Sequence, residues 1–338
     1  MAAGSGTWKV GILFSRSGVT EITETEHFFG TVLAIEEINA AGGVLGRLIE
    51  PVVYDPGADS GVYRSLARQM FLQDEVDIIF GCSMSASRKA VLPIIERHNG
   101  LLFYPSMYEG FEYSENVLYT GATLNQNIFP LADFILQERG KSIFLIGNEY
   151  IYPRESNRVM RDLIESKGGQ VVGERYVPLG PETDSIQPAI EDILRLKPDA
   201  VFSTIVGTAA RAFYSAYAQA GIDRRKHPIA SLTMAETEIR AIGTDKCDGH
   251  ILAATYFQTL ENEANKRFVT AFKTRFGEEA TTGIWSEPAY VQVHLFAQAL
   301  EKVGSSDAHK IAEAVLTGSF DAPEGRVGVD SETRHLWL

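Results

Sequence analysis

The stretch at residues 77–87, DIIFGCSMSAS, contains the local pattern that decides the fold. Its first part is a short apolar run, which predicts a buried strand at 77–80. Its second part is small and polar and opens a helix predicted at 85–98, where apolar residues recur at helical spacing. A short strand that leads directly into a helix is typical of a β-α-β unit, in which neighbouring strands are parallel.

The same pattern recurs along the chain. Further apolar runs predict strands at 10–14, 49–54, 101–104, 142–146, 170–177, 200–203 and 251–256. Helical spacing of apolar residues predicts helices at 26–40, 60–73, 127–138, 154–167, 185–196, 208–220, 263–276 and 286–303. This alternation predicts an α/β fold with parallel sheets covered by helices on both faces.

The number of strands predicts two sheets, because a single open sheet of this size would be unusual. The regular alternation falters near 119–125 and again near 256–261. If the chain crosses between lobes at both places, residues 7–120 plus 258–330 form the N-terminal lobe and residues 121–257 form the C-terminal lobe. We therefore expect two Rossmann-like lobes joined by a multi-strand hinge, with a ligand cleft at the carboxyl ends of the strands.

The composition of the 338 residues narrows the class of protein. Apolar residues make up 45% and charged residues 22%, as in ordinary soluble globular proteins. The net charge of −13 argues against a nucleic-acid-binding surface, so we expect no direct contact with nucleic acid. No apolar run approaches the roughly 18 residues needed to span a bilayer, so we expect no membrane insertion. Cys82 and Cys247 are expected to be free thiols.

The two ends of the chain bear on its location. Residues 1–6 have none of the features of a secretory signal peptide and are interpreted as a short tail. We therefore expect a cytoplasmic protein, with a periplasmic location as the alternative if a leader was removed. Residues 334–338 stop within an apolar stretch, and we expect a truncated or partly disordered carboxyl end.

Three predicted strands end in residues suited to a small polar ligand, and ligands of open α/β sheets bind at such ends. Ser85 opens a helix, whose backbone N–H groups can bind an oxygen atom, although plain helix capping explains the same residue. The ends of the strands at 101–104 and 142–146 carry hydroxyl and aromatic groups with few charges. Those groups suit a nearly neutral ligand, although aromatic residues there often only cover the core.

Enzyme signatures are missing from the sequence. There is no phosphate-binding loop, and no glycine-rich dinucleotide motif follows the first strand. The segment 81–85 lacks the second glycine of a nucleophile elbow. Cys247, Asp248 and His250 match no recognised metal-ligand spacing and are interpreted as a surface loop. We therefore predict a binding protein that has no catalytic residues, cofactor or metal.

Six stretches of the sequence resemble the type I periplasmic-binding-protein superfamily, in particular its urea and short-chain-amide branch. They cover nearly the whole chain in order, and they are VGILFSRSG at 10–18, SRKAVLP at 87–93, LFYP at 102–105, YEGFEYS at 108–114, YPRESN at 152–157 and DAPEG at 321–325. Within that branch the sequence is most similar to the amide-sensing negative regulator of bacterial aliphatic amidase operons. The fold that the resemblance implies agrees with the two-lobed prediction above.

The resemblance also implies the residues that line the ligand site. Ser85, Tyr104 and Tyr150 carry over directly, and the loops at 204–208 and 231–236 supply further walls. The complete set of candidate ligand-binding residues is Ser83, Ser85, Tyr104, Ser106, Met107, Tyr150, Val206 and Thr233. We expect Ser85 and nearby backbone N–H groups to bind the oxygen of a primary amide.

Two positions depart from the pattern of the family. Ser83 stands where the regulator has Tyr and the urea binders have Trp, and Ser106 stands where the regulator has Thr. Both changes remove bulk from the expected wall of the site. We therefore expect a ligand larger than the smallest amides, with water or the side chain of Met107 filling the space as the alternatives.

The resemblance leaves three functions open. In the first, the chain is an amide sensor that holds an RNA-binding antiterminator protein inactive until an amide binds. A homodimer is left open for each function. In the second, it is the solute-binding component of an ABC importer for urea or short-chain amides, with a permease as its partner. In the third, it binds an amino acid, with the helix start binding the carboxylate and Glu236 binding the ammonium group.

Overall fold

The computed structural model describes residues 6–180 and 183–338. The amino-terminal tail predicted at residues 1–6 therefore lies outside the described residues except for Gly6. The described chain forms two compact units. The first runs to Ala122 and resumes at Tyr256–Leu338, and the second is Thr123–Thr255.

The strands of the two units alternate with helices over most of the chain. In chain order the strands are β1 Trp8–Leu13, β2 Ile49–Tyr54, β3 Ile78–Gly81, β4 Leu101–Tyr104, β5 Val117–Tyr119, β6 Ser142–Asn148, β7 Gln170–Val177, β8 Ala200–Thr204, β9 Ile229–Ser231, β10 Ile251–Leu252, β11 Ser319–Ala322, β12 Gly325–Val329 and β13 Leu336–Trp337. The α-helices are α1 Glu21–Ala40, α2 Ser60–Leu72, α3 Ser85–Arg97, α4 Leu124–Glu138, α5 Ile151–Ser166, α6 Gln187–Leu196, α7 Gly207–Gln219, α8 Glu236–Ile242, α9 Thr244–Cys247, α10 Glu263–Phe276, α11 Ser286–Val303 and α12 Ala308–Val315.

The first unit contains a five-stranded parallel sheet in the order β2-β1-β3-β4-β5. The strands β3, β4 and β5 are buried along their whole length, which explains why the sequence shows continuous apolar runs there. One face of the sheet packs on α1, α11 and α12, and the other packs on α2 and α3. The prediction of a parallel sheet with helices on both faces is confirmed for this unit.

The packing of α1 on α11 depends on one glycine. A Cβ atom built on Gly30 would lie 2.0 Å from the backbone oxygen of Ser286. Because backbone atoms cannot move aside as a flexible side chain can, any larger residue at Gly30 would push the two helices apart. The centre of this core is aromatic, and the ring of Phe296 meets that of Phe80 edge-on at 5.5 Å.

The second unit contains a five-stranded parallel sheet in the order β10-β9-β8-β6-β7. The predicted strand at 251–256 is wrong in its second half, since β10 ends at Leu252. The physical reason is that Tyr256 belongs to the core of the first unit, where its hydroxyl group bonds Asn265 at 2.7 Å. The chain has therefore left the sheet before that residue.

A third sheet was not predicted. Strands β11, β12 and β13 form an antiparallel sheet in the first unit, although only parallel sheets were expected. Two residues separate β11 from β12, which is too short for the crossover that parallel strands need. The carboxyl end, expected to be truncated or partly disordered, is described to Leu338 and contributes β13 to this sheet.

Within residues 6–180 and 183–338, no helix is both long enough and apolar enough to cross a membrane.

Candidate functional site

In the first unit the candidate residues lie where β3 and β4 end. Ser83 lies between β3 and α3, and Ser106 and Met107 follow β4. Because β3 and β4 are neighbours in a parallel sheet, their following connections lie side by side. The hydroxyl oxygens of Ser83 and Ser106 are 3.4 Å apart, and both side chains are almost completely buried.

Tyr104, the last residue of β4, connects this strand to the segment that follows β3. Its hydroxyl group donates a hydrogen bond to the backbone oxygen of Ser83, and its side chain is fully buried in the core. Burial raises the pKa of Tyr104 far above its usual value, so the phenol remains protonated and keeps this donor. Tyr104 therefore fixes the backbone at Ser83, and its expected role as a wall of the ligand site stays a prediction.

Ser85 is the first residue of α3, and its side chain does not cap that helix. The N-cap position is Met84, and no side-chain capping hydrogen bond is formed. The Ser85 hydroxyl group instead donates to Glu109 Oε2 at 2.7 Å. The plain-capping interpretation of Ser85 is therefore wrong. Its single hydrogen is therefore donated within the protein, while the expected binding of a ligand oxygen at the start of α3 stays a prediction.

Glu109 belongs to a buried network of charges that sequence reasoning missed. Arg88 Nη2 lies 2.8 Å from Glu109 Oε1, and Arg88 Nε lies 2.7 Å from Glu112 Oε1. The guanidinium group also lies 4.8 Å from the ring centroids of both Tyr104 and Tyr108. Burial alone would lower the pKa of Arg88, but Tyr104, Glu109 and Glu112 raise it above its usual value.

The sequence held only a weak signal for this network. Arg88 and Glu109 both lie in stretches that resemble the family, but they are 21 positions apart and no local spacing links them. Gly121 is a second missed residue. A Cβ atom built there would lie 2.1 Å from the backbone oxygen of Ser106, so only glycine lets the two segments pack this closely.

In the second unit the remaining candidates also lie at strand ends. Tyr150 occupies the N-cap position of α5, and Val206 occupies that of α7. The backbone N–H of Val206 donates to the side chain of Asn148 at 2.8 Å, and the hydroxyl group of Thr233 donates to the backbone oxygen of Ile205 at 3.0 Å. The missed residue Asn148 therefore joins two of the three candidates, because its backbone oxygen also accepts from the backbone N–H of Tyr150 at 2.9 Å.

The segment 247–250, interpreted from the sequence as a surface loop, is the end of α9 followed by a turn, and Cys247 and His250 are half-buried. His250 accepts a hydrogen bond from the backbone N–H of Ile229 at 2.9 Å, with Nδ1 as the acceptor. Burial lowers the pKa of His250 to about 4, so the ring is neutral near pH 7. No cluster of histidine, cysteine, aspartate and glutamate side chains in the described parts of the chain could hold a metal ion. Cys82 and Cys247 are free thiols, as predicted.

Comparison with known proteins identifies the family. A family model described as "Periplasmic binding protein domain" matches residues 8–338. The chain therefore belongs to the periplasmic binding protein family, in the type I superfamily. The same comparisons give no support to the amide-sensing branch of that superfamily.

Two curated relatives are named as amino-acid-binding proteins. The leucine-, isoleucine-, valine-, threonine- and alanine-binding protein of Pseudomonas aeruginosa is 26% identical over 308 residues, which cover 90% of this chain and 80% of the relative. Leu/Ile/Val-binding protein homolog 6 of Brucella melitensis is 24% identical over 304 residues, which cover 87% and 77%. Both names describe binding proteins, which supports the prediction of a binding function.

Solved structures confirm the fold. A solute-binding protein of an ABC transporter from Rhodopseudomonas palustris, in complex with 3,4-dihydroxybenzoic acid, has a TM-score of 0.88 at 22% identity and covers 98% of this chain and 90% of its own. The branched-chain amino acid transporter substrate binding protein LivJ of Streptococcus pneumoniae, in complex with isoleucine, has a TM-score of 0.87 at 21% identity and covers 97% of this chain and 93% of its own. Two α/β lobes with parallel sheets are thus the fold of this family.

Proposed function

We propose that this chain is the solute-binding component of an ABC importer and that its ligand is a small amino acid. The observation that carries the proposal is the edge of the first unit at which β3 and β4 end. The hydroxyl oxygens of Ser83 and Ser106 lie 3.4 Å apart there, next to the first turn of α3, a helix of 13 residues. The N–H groups of such a turn have no partner within the helix and favour a carboxylate oxygen.

The relatives support an amino acid as the ligand. The curated proteins of Pseudomonas aeruginosa and Brucella melitensis are named for the amino acids they bind, and the Streptococcus pneumoniae structure contains isoleucine. An amino acid has a carboxylate for the helix start and an ammonium group for an acidic residue. Glu236, the first residue of α8, is the acidic residue that the sequence predicts for the ammonium group.

A sensor of short-chain amides is the second candidate function. The observation that favours it is the uncharged lining formed by Ser83, Ser106 and Met107, which suits a neutral amide. In this role the chain would hold an RNA-binding antiterminator protein, whereas an importer component would work with a membrane permease. An importer component also works outside the cytoplasm, so cell fractionation separates the two roles.

The ligand is tested by calorimetry and by thermal unfolding with single compounds. The panel contains L-leucine, L-isoleucine, L-valine, L-alanine, acetamide, propionamide, urea and 4-hydroxybenzoate. A ligand that binds only the folded state raises the unfolding temperature. Binding of amino acids, with no response to amides or urea, supports the proposal. Binding of amides alone would replace it with the sensor, and binding of 4-hydroxybenzoate alone would contradict both.

A further inference from the structure

The hydroxyl group of Ser85 has a single hydrogen, and the structure shows where it goes. Ser85 Oγ lies 2.7 Å from Glu109 Oε2, and the carboxylate has no hydrogen of its own to give. Both side chains are buried, with 1% of Ser85 and 2% of Glu109 exposed. Ser85 therefore faces its remaining surroundings with lone pairs alone, as a hydrogen-bond acceptor.

The orientation of Glu109 is fixed from its other side. Arg88 Nη2 donates to Glu109 Oε1 at 2.8 Å, while Arg88 Nε donates to Glu112 at 2.7 Å. Arg88 is completely buried and lies over the ring of Tyr104 at 4.8 Å. The two oxygens of Glu109 thus have separate partners, because Oε1 accepts from Arg88 and Oε2 accepts from Ser85.

We propose that Glu109 determines ligand specificity by making Ser85 a hydrogen-bond acceptor. The group of the ligand that meets Ser85 is then an N–H donor, either an amine or an amide nitrogen. A carboxylate placed against Ser85 would bring two acceptors together and would also face the negative charge of Glu109. Glu109 is a positioning residue, since it acts on the ligand through Ser85. This inference rests on the proposed function, because it concerns the same ligand site.

Two matched pairs of ligands, whose members differ in an N–H donor, test this role of Glu109. L-leucine and 4-methylpentanoate share a carboxylate and a carbon skeleton and differ in the amine. Propionamide and propionate have the same size, but propionamide has an NH2 group that donates hydrogen bonds, whereas the carboxylate of propionate only accepts them. We expect wild-type protein to prefer L-leucine or propionamide over its partner by about 10-fold or more, since each unmade hydrogen bond to a buried acceptor has a cost of this size.

The decisive variant is Glu109→Gln, which keeps the shape of the side chain. Arg88 can only donate, so the new amide must turn its oxygen to Arg88 and its NH2 group to Ser85. Ser85 would then accept from Gln and release its own hydrogen toward the ligand. We expect the preference for the N–H member of the pair, measured by calorimetry as a ratio of Kd values, to fall by about 10-fold to 100-fold.

Two further variants separate this effect from loss of charge and from damage to the fold. Glu112→Gln removes the same charge from the same arginine without touching Ser85, so the ratio of Kd values should stay within about threefold of wild type. Adding Glu109→Gln to a Ser85→Ala protein should no longer change the ratio. Thermal unfolding of each variant shows that the protein measured is folded.

The outcomes distinguish the inference from the proposed function. An unchanged ratio in Glu109→Gln, an equal change in Glu112→Gln, or an equal change in the Ser85→Ala background would overturn the inference alone. Preference of wild-type protein for propionate or 4-methylpentanoate would also overturn it, while a binding function would stand. Failure of the folded wild-type protein to bind these four compounds and every other amino acid and amide of the calorimetry panel would contradict the proposed function and this inference with it.

Discussion

The guanidinium group of Arg88 lies 2.8 Å from Glu109 and 2.7 Å from Glu112, and it is completely buried. Its neighbour Lys89 also binds Glu112 at 2.7 Å, but 41% of the lysine side chain is exposed. The two cations thus share a partner and differ in burial. A buried pair is costly to break because the carboxylates left behind have no water to solvate them.

The difference in burial between Arg88 and Lys89 predicts that removing each cation lowers the stability of the protein by a different amount. Arg88→Met should lower the free energy of unfolding by about 3–5 kcal/mol, since it leaves Glu109 without its ion-pair partner and Glu112 with only Lys89. Lys89→Met should lower it by less than about 1 kcal/mol, because an exposed pair contributes little. Urea unfolding measures both values. Equal losses would show that burial does not govern this network.

Gly30 and Gly61 are both helical glycines, and they should respond to alanine in different ways. Alanine at Gly30 would place its Cβ atom 2.0 Å from the backbone oxygen of Ser286, so Gly30→Ala should destabilise the protein by about 1–3 kcal/mol or more. The nearest atom at Gly61 is a side-chain oxygen of Asp59 at 3.1 Å. Gly61→Ala should therefore change stability by less than about 1 kcal/mol. A Gly30→Ala protein as stable as wild type would contradict the close approach of α1 and α11.

Because the pKa of Glu24 is raised, we expect its contribution to the free energy of unfolding to fall as the pH rises. Burial is the main cause that raises the pKa of Glu24 to about 7, against the effect of its hydrogen bonds from Thr20, Tyr63 and Ser15. Between pH 4.5 and 7 the folded chain therefore keeps a proton that the unfolded chain has lost. The contribution of Glu24 to stability is present below this window and falls as the pH rises through it.

The test compares wild type with Glu24→Gln, which cannot titrate. The free energy of unfolding of wild type minus that of the variant should fall by about 1–3 kcal/mol between pH 5 and pH 7.5. His27 acts in the opposite direction because burial lowers its pKa to about 4, but it is present in both proteins and cancels. The exposed residue Glu278 provides the control variant Glu278→Gln. A flat difference would show that Glu24 is ionised in the folded protein.

The small side chains of Ser83 and Ser106 predict a ligand that is longer than the smallest amides or amino acids. Each buried methylene group contributes roughly 0.8 kcal/mol, so lengthening the ligand by two or three carbons should improve binding by about 10-fold or more. Calorimetry with glycine, alanine and norvaline, and with acetamide to pentanamide, measures this trend. Ser83→Tyr should abolish it, whereas Ser65→Tyr on the exposed face of α2 should not. Equal preference of wild type and Ser83→Tyr for the shortest ligand would contradict the enlarged site.

The elements that the sequence predicted best are those with the longest periodic patterns. The predicted helices at 263–276 and 286–303 agree with α10 and α11 at both ends. The elements that were missed are short, such as the three-residue strand β9 and the four-residue helix α9. An element of that length contains too few residues to show a period, and its conformation depends on the sheet or helix that it joins.

The sequence by itself determined the alternation of strands and helices, and with it the parallel sheets and the strand ends at which Ser83, Ser85 and Thr233 lie. That much follows from local patterns of apolar residues and from the chirality of β-α-β units. Only the tertiary structure decided that Ser85 donates to Glu109, that Arg88 holds Glu109 in place and that Gly121 packs against Ser106. These contacts join residues 15 or more positions apart, and their energies depend on burial and atomic distance, neither of which a local pattern contains.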